Sequence, residues 1–190
     1  MRSVIALLLI AGGASTATGY ARYEQVTTYD GYFRKYSKRY FGVAFDWTQF
    51  KAQAVAESQL EPEAESSVGA VGLMQIMPRT FEDIRRRNPA IAGGRRSPRW
   101  SIAAGVWYDR QQFDVWQAPR PLVDRIKFMF GSYNAGRRSI LRAQSVAERQ
   151  GLDPNLWRSI EMSLPQITGR RSQETLTYVG RIDEIRGTWH

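Results

Sequence analysis

The chain has 190 residues, 43% of them hydrophobic and 12% aromatic, so it carries enough core formers for a folded domain and too many for a disordered protein. It has no cysteine, and its one histidine is the C-terminal His190, which excludes a disulfide framework, thiolate chemistry, a Ser–His triad and a multi-histidine zinc site. Those absences leave carboxylates as the strongest acid–base candidates, and a net charge of +9 favours polyanions (nucleic acid, acidic headgroups or an anionic cell-wall polymer) or serves solubility alone.

Met1 and Arg2 form a short basic start, Val4 to Ala11 is an unbroken apolar run, and Gly12 to Gly19 is small and polar. That order is the one found in a secretory leader, with cleavage expected after Gly19 or Ala21. The run is shorter than the roughly 20 apolar residues that span a bilayer, so an uncleaved anchor is the lesser reading. Residues 1–21 are set apart as leader, residues 22–190 as one domain, and export is expected.

Periodicity predicts a helix over Tyr29–Tyr40. Asp30 is the expected N-cap, and Tyr29, Tyr32, Phe33, Tyr36 and Tyr40 form a stripe opposite Lys35, Lys38 and Arg39. Aromatic residues beside cations can stack on sugars or bases, but such a stripe is more often core with a solvated basic face. A second helix is expected from Asp46 to about Leu60, with Asp46 and Gln49 at capping-box spacing. Phe50, Ala54 and Glu57 share one of its faces. Glu57 therefore falls in line with core residues, where a charge is costly unless it is paired or functional. The plain alternative is a wet glutamate at a helix end.

The stretch from Glu57 to Pro78 reads ESQLEPEAESSVGAVGLMQIMP. A helix-breaking Glu-Pro follows the acid, and Gly69 and Gly72 permit tight turns. The run Leu73–Met77 is too apolar to stay exposed and is expected to fold back over the carboxylate. Apolar walls raise a carboxyl pKa and suit it to general-acid work.

Pro78 suits the first turn of a helix to about Arg87, with Phe81 and Ile84 inward. Arg85–Arg99 holds six arginines and two prolines and reads as a basic surface loop, placed to meet phosphates or simply solvated. Ser101 is expected to cap a helix to about Phe113. Pro121 opens another, with Leu122, Ile126, Met129 and Tyr133 on a buried stripe and Gly136 at its end. Helical patterns recur over 137–149 and 154–162, and Pro165–Arg171 reads as loop. A last helix over 172–186 aligns Glu174, Tyr178, Ile182 and Ile185. Apart from a short extended piece near Met74–Met77, no strand is expected, so the chain reads as one mainly α-helical domain.

Glu57-Ser58, Pro62, Ser66, Gly69-Ala70 and Gly72-Leu73-Met74-Gln75-Ile76-Met77-Pro78, with Thr80 after them, resemble the central motif of the soluble lytic transglycosylase family in the lysozyme-like superfamily. Tyr133-Asn134-Ala135-Gly136 and Glu174 with Tyr178-Val179 follow in the family's order. Ala104-Gly105-Val106 stands where the family has its packing helix. The likeness spans roughly Tyr29 to Ile185. It implies a single lysozyme-like helical domain with at most a very short β element near the substrate cleft.

The resemblance also implies a chemistry. The substrate would be the glycan strands of peptidoglycan, cut at the β-1,4 link from N-acetylmuramic acid to N-acetylglucosamine. Glu57 would protonate the leaving oxygen and then take the proton of the muramic 6-hydroxyl as it closes a 1,6-anhydro ring. Ser66 would bond the muramic N-acetyl or lactyl group, and Gln75 and Met77 would line sugar subsites. Tyr133 would orient Glu57, Asn134 would anchor the adjoining turn, and Glu174 and Tyr178 would bind glycan or peptide stem. No cofactor and no metal ion are implied. The protein would act as a monomer in the periplasm or cell envelope, or on a virion if phage-encoded, alone or within an envelope, secretion or virion assembly.

One departure from the family pattern is Glu61, four residues after Glu57, where an amide or Asp is commoner. As a second carboxylate it would make the protein a muramidase; the following Pro62 is expected to turn it toward solvent. A non-catalytic wall-binding or assembly protein on the same fold is a further alternative. The charge motivates a nucleic-acid reading too, but no recognition-helix or stacking-platform motif supports it, so no specific nucleic-acid partner is expected.

Overall fold

The computed structural model describes residues 17–189. The apolar run and most of the expected leader lie outside the described residues. Among the described residues the helices are α1 (Ala17–Ala21), α2 (Asp30–Phe41), α3 (Thr48–Ser58), α4 (Pro78–Arg87), α5 (Pro98–Phe113), α6 (Leu122–Ala135), α7 (Arg137–Arg149), α8 (Trp157–Thr168) and α9 (Ser172–Gly187), with 3-10 turns at Arg22–Gln25 and Gly169–Arg171. Extended structure among them is confined to isolated bridges of Val71 with Glu65 and with Ile76. The mainly α reading holds; the extended piece expected near Met74–Met77 is a tight turn in which only Ile76 is bridged. The helices gather into two compact units, Asp109–Val179 and the residues on either side of it, the latter running up to Tyr108 and on from Gly180.

In the flanking unit α3 is the central element. Every residue from Gln49 to Ser58 is buried, so no single face distinguishes Glu57, contrary to the expected stripe. Small side chains at Ala52, Ala54 and Ala56 let neighbours crowd the helix from several sides. Lys51 is buried as well, and it is held by the Asp30 carboxylate at 3.0 Å and the Glu24 carbonyl at 3.1 Å. Asp30 is therefore not the N-cap of α2; it is the counter-ion that makes a buried lysine tolerable. The aromatic stripe of α2 is also narrower than its periodicity suggests. Phe33 and Tyr36 are core, whereas Tyr32 is 37% exposed. Asp46 accepts the Thr48 backbone N–H at 3.0 Å and pairs with Arg186, so it forms a turn just ahead of α3, whose N-cap is Trp47, in place of the expected capping box. Phe41, Phe45 and Phe50 form a ring cluster beneath, with centroids 4.4 to 5.5 Å apart. Both ends of the described chain join this unit. The Tyr23 hydroxyl donates to Gln59 Oε1 at 3.0 Å, and the Trp189 indole donates to the Tyr20 carbonyl at 3.3 Å.

In Asp109–Val179, α6, α7 and α8 pack together. Gly131 on α6 is a requirement of that packing, because a Cβ there would sit 2.4 Å from the Trp157 ring. Trp157 meets Phe128 edge-on, and Phe128 meets Trp116 with centroids 4.8 Å apart. Arg120 lies over Phe128 at 4.3 Å, and burial lowers its guanidinium pKa. The start of α8 is fixed by Asp124, whose carboxylate accepts the Trp157 backbone N–H at 2.7 Å. This helix runs through Pro165 to Thr168, beyond its expected end. A proline one turn from a helix end removes a single backbone bond, which the packed face of the helix outweighs. Leu122 is 60% exposed and does not join the α6 stripe, because the first turn of that helix lies outside the core.

Candidate active site

Glu57 is the penultimate residue of α3 and only 1% exposed. The helix stops at once after Ser58. Gln59 and Leu60 both take left-handed conformations, with φ of 55° and 62°. Two consecutive non-glycine residues there cost conformational energy, and such strain collects at functional sites. The contacts that hold it are visible: the Gln59 N–H donates to the Val55 carbonyl at 2.9 Å, and the Gln59 side chain accepts the Tyr23 hydroxyl. The Ser58 hydroxyl sits 3.1 Å from the Ala54 carbonyl and 3.0 Å from the Leu73 carbonyl, within reach of its own helix and of the returning loop. Its one proton serves one of them at a time. A serine directly after the acid thus ties the helix end to the apolar run.

That loop folds back by a dense set of bonds. The Ser66 hydroxyl accepts the Ala70 N–H at 2.9 Å, and the Gly72 N–H donates to the Ala64 carbonyl at 2.9 Å. Gly72 has φ +78° and would place a Cβ 2.3 Å from the Arg95 carbonyl oxygen, so glycine is required by both conformation and space. Gln75 is wholly buried at φ 42°, and its Nε2 donates to the Ala64 and Gly72 carbonyls at 3.0 Å each. Met77 is half-buried, and Pro78 begins α4 directly after it. Leu73, Met74 and Ile76 are buried, as their composition demands.

Sequence reasoning missed the partner of this loop. Arg95 Nη1 donates to the Gly69 carbonyl at 3.1 Å and to the Ile76 carbonyl at 3.0 Å, closing both ends of the bridged turn. Partial burial and the neighbouring Arg96 lower the Arg95 pKa. Arg96 pairs with Glu65 at 2.5 Å and Glu63 at 3.6 Å, and Arg99 donates to the Tyr36 hydroxyl. Three of the six arginines in the supposed solvated loop are therefore built into the fold. Ser101 is not a helix cap, since α5 starts at Pro98; its hydroxyl, fully buried, accepts the Met74 N–H at 3.1 Å. The signals available were Gly72, which marks a close backbone approach, and a serine inside a helical run.

The structure thus brings Glu57, Ser66 and Gln75 into one tightly bonded segment. Glu61 is exposed. Met77 closes the same segment, and the remaining expected site residues, Tyr133, Asn134, Glu174 and Tyr178, belong to Asp109–Val179. There Tyr133 and Tyr178 are wholly buried, Glu174 is half-buried, and Asn134 Oδ1 accepts the Thr175 hydroxyl at 2.7 Å, joining the end of α6 to α9. Among the described residues no three Asp, Glu or His side chains form a metal-binding group, and no helix is long and apolar enough to cross a membrane.

Comparison with known proteins places these motifs. Residues 31–155 match the transglycosylase SLT domain. The chain is similar to the membrane-bound lytic murein transglycosylase F of Desulfosudis oleivorans, 34% identical over 137 residues that cover 70% of this chain and 28% of that protein. The protein of the same description from Shewanella pealeana is 29% identical over 150 residues, covering 79% and 29%. The chain spans less than a third of the length of these relatives. Its fold is similar to the crystal structure of the 70 kDa soluble lytic transglycosylase of Escherichia coli, with TM-score 0.63 and 22% identity over 93% of this chain and 31% of that one.

Proposed function

From the premise that the chain belongs to the transglycosylase SLT domain family, we propose that it is an exported peptidoglycan lytic transglycosylase with Glu57 as its one acid–base residue. The observation that carries the reading is the burial of that carboxylate beside a strained helix end and a loop bonded at almost every turn. A carboxyl removed from water favours its protonated form, which a general acid needs at the start of the reaction. Glu57 protonates the glycosidic oxygen between N-acetylmuramic acid and N-acetylglucosamine. The same carboxylate then accepts the proton of the muramic 6-hydroxyl, which attacks C1 and forms the 1,6-anhydro end. The nucleophile is already tethered to the reacting ring, and effective molarities of about 10⁵ M or more are available to such arrangements. The developing positive charge is met by the substrate's N-acetyl oxygen and by neutral dipoles.

Water-based glycosidases place a second carboxyl about 5–9.5 Å from the first. The exposed side chain of Glu61 gives no support to that role. In this reading Ser66, Gln75 and Met77 line sugar subsites, Asn134 anchors the end of α6, and Glu174 and Tyr178 bind glycan or peptide stem. The relatives are membrane-bound lytic murein transglycosylases by description, which fits action in the cell envelope on glycan strands. The test is digestion of purified sacculi with mass analysis of the sugar ends. The parent protein is expected to release anhydromuramic ends, and Glu57→Gln, still folded, to lose at least about 10²-fold in rate, the low end of general acid–base contributions. Reducing muramic ends would assign the hydrolytic reaction, and undiminished turnover by the variant would refute Glu57.

A further inference from the structure

Helix α2 turns Asp30, Phe33, Tyr36 and Ser37 inward. Its outer side presents Arg34, Lys35, Lys38 and Arg39, all exposed and within an arc of about 140° at the helical repeat. The only acid on the helix, Asp30, is buried against Lys51, the nearby Asp46 is paired with Arg186, and no carboxylate among the described residues pairs with any of the four. Aromatic rings lie beside three of them: Arg34 is 4.7 Å over Trp47, Lys35 5.8 Å from the Tyr36 ring, and Arg39 5.8 Å from Tyr40. Immediately past the helix the chain turns through Gly42, and the apolar side chain of Val43 is 80% exposed.

We propose that this face of α2, with the Val43 tip, docks the protein on a bilayer rich in anionic phospholipid. A soluble polyanion asks only for cations. An exposed valine with half-buried Trp47 and partly exposed Tyr32 beside four basic side chains is the composition of a surface that sits at a membrane–water boundary, with charges on the headgroups and the apolar tip at the acyl margin. The inference goes beyond the enzymatic reading and does not depend on it, since none of these residues belongs to the candidate site.

The experiment is co-sedimentation of the full chain with vesicles of phosphatidylcholine alone and of phosphatidylcholine mixed with phosphatidylglycerol, at physiological ionic strength. Binding is expected to require phosphatidylglycerol. Each cation near an anionic surface is worth about fivefold in partitioning, so Lys35→Gln with Lys38→Gln is expected to lower the partition coefficient about 25-fold. Val43→Ser is expected to lower it several-fold at unchanged charge, with circular dichroism and melting temperature unaltered in both variants. Equal binding to neutral vesicles, or parental binding by the lysine variant, overturns the proposal. So does a result in which the lysine substitutions weaken retention on soluble poly(glycerol phosphate) but leave vesicle binding intact, because the partner is then a soluble polymer.

Discussion

Arg95→Met is the most informative substitution outside the acid itself. The side chain keeps its apolar length and loses the guanidinium that bonds the Gly69 and Ile76 carbonyls at 3.1 and 3.0 Å. A hydrogen bond from a charged donor contributes about 1.5–3 kcal/mol. Both bonds come from the same nitrogen and the group is partly exposed, so their sum falls short of additive, at about 2–4 kcal/mol. For a chain of this size each kcal/mol shifts the melting temperature by about 2–4 °C, which predicts a loss of roughly 5–15 °C. The loss should also be local. Val71 and Ile76 exchange backbone bonds inside the turn that Arg95 closes, so their amides should lose protection against hydrogen exchange by more than those of α3. Arg95→Lys should recover little, because one ammonium on a flexible stem does not reproduce the planar donor geometry. Melting within about 1–2 °C of the parent, with Val71 and Ile76 protection unchanged, would refute the claim that this loop depends on the arginine.

Asp30→Ala leaves Lys51 charged and buried without its 3.0 Å partner, and a loss of about 3–5 kcal/mol in denaturant unfolding is expected. Gly131→Ala forces a methyl to within 2.4 Å of the Trp157 ring, which should cost about 1–3 kcal/mol by overpacking and perturb the near-ultraviolet tryptophan signal. Glu61→Gln should leave sacculus digestion and the identity of the sugar ends unchanged, because this carboxylate faces solvent; a change from one type of end to another would give it a part in the chemistry.

Local rules along the chain account for much of the architecture. The helix over Tyr29–Tyr40, the start at Pro78, the stretches 137–149 and 172–186 and the stop at Gly136 all follow from them, because periodicity, proline at a first turn and glycine at a helix end act over a few residues. The motif around Glu57 is legible for the same reason: an acid, a helix break, two glycines and an apolar run are neighbours in sequence. The partners brought in from a distance are not. Asp30 has the look of a cap and is the counter-ion of Lys51, 21 positions on; Ser101 has it too and holds Met74, 27 positions back.

The chain alone therefore settles most of the helices, though not all their ends, as well as which acid stands at the break and which segment must be covered. Tertiary structure decides which polar side chains face inward, and it turns three arginines of a seemingly solvated run into ties on the fold. The reason is physical: burying a charge or a backbone carbonyl is tolerable only where another group meets it, and that group is chosen by the packing of remote segments rather than by the residues beside it.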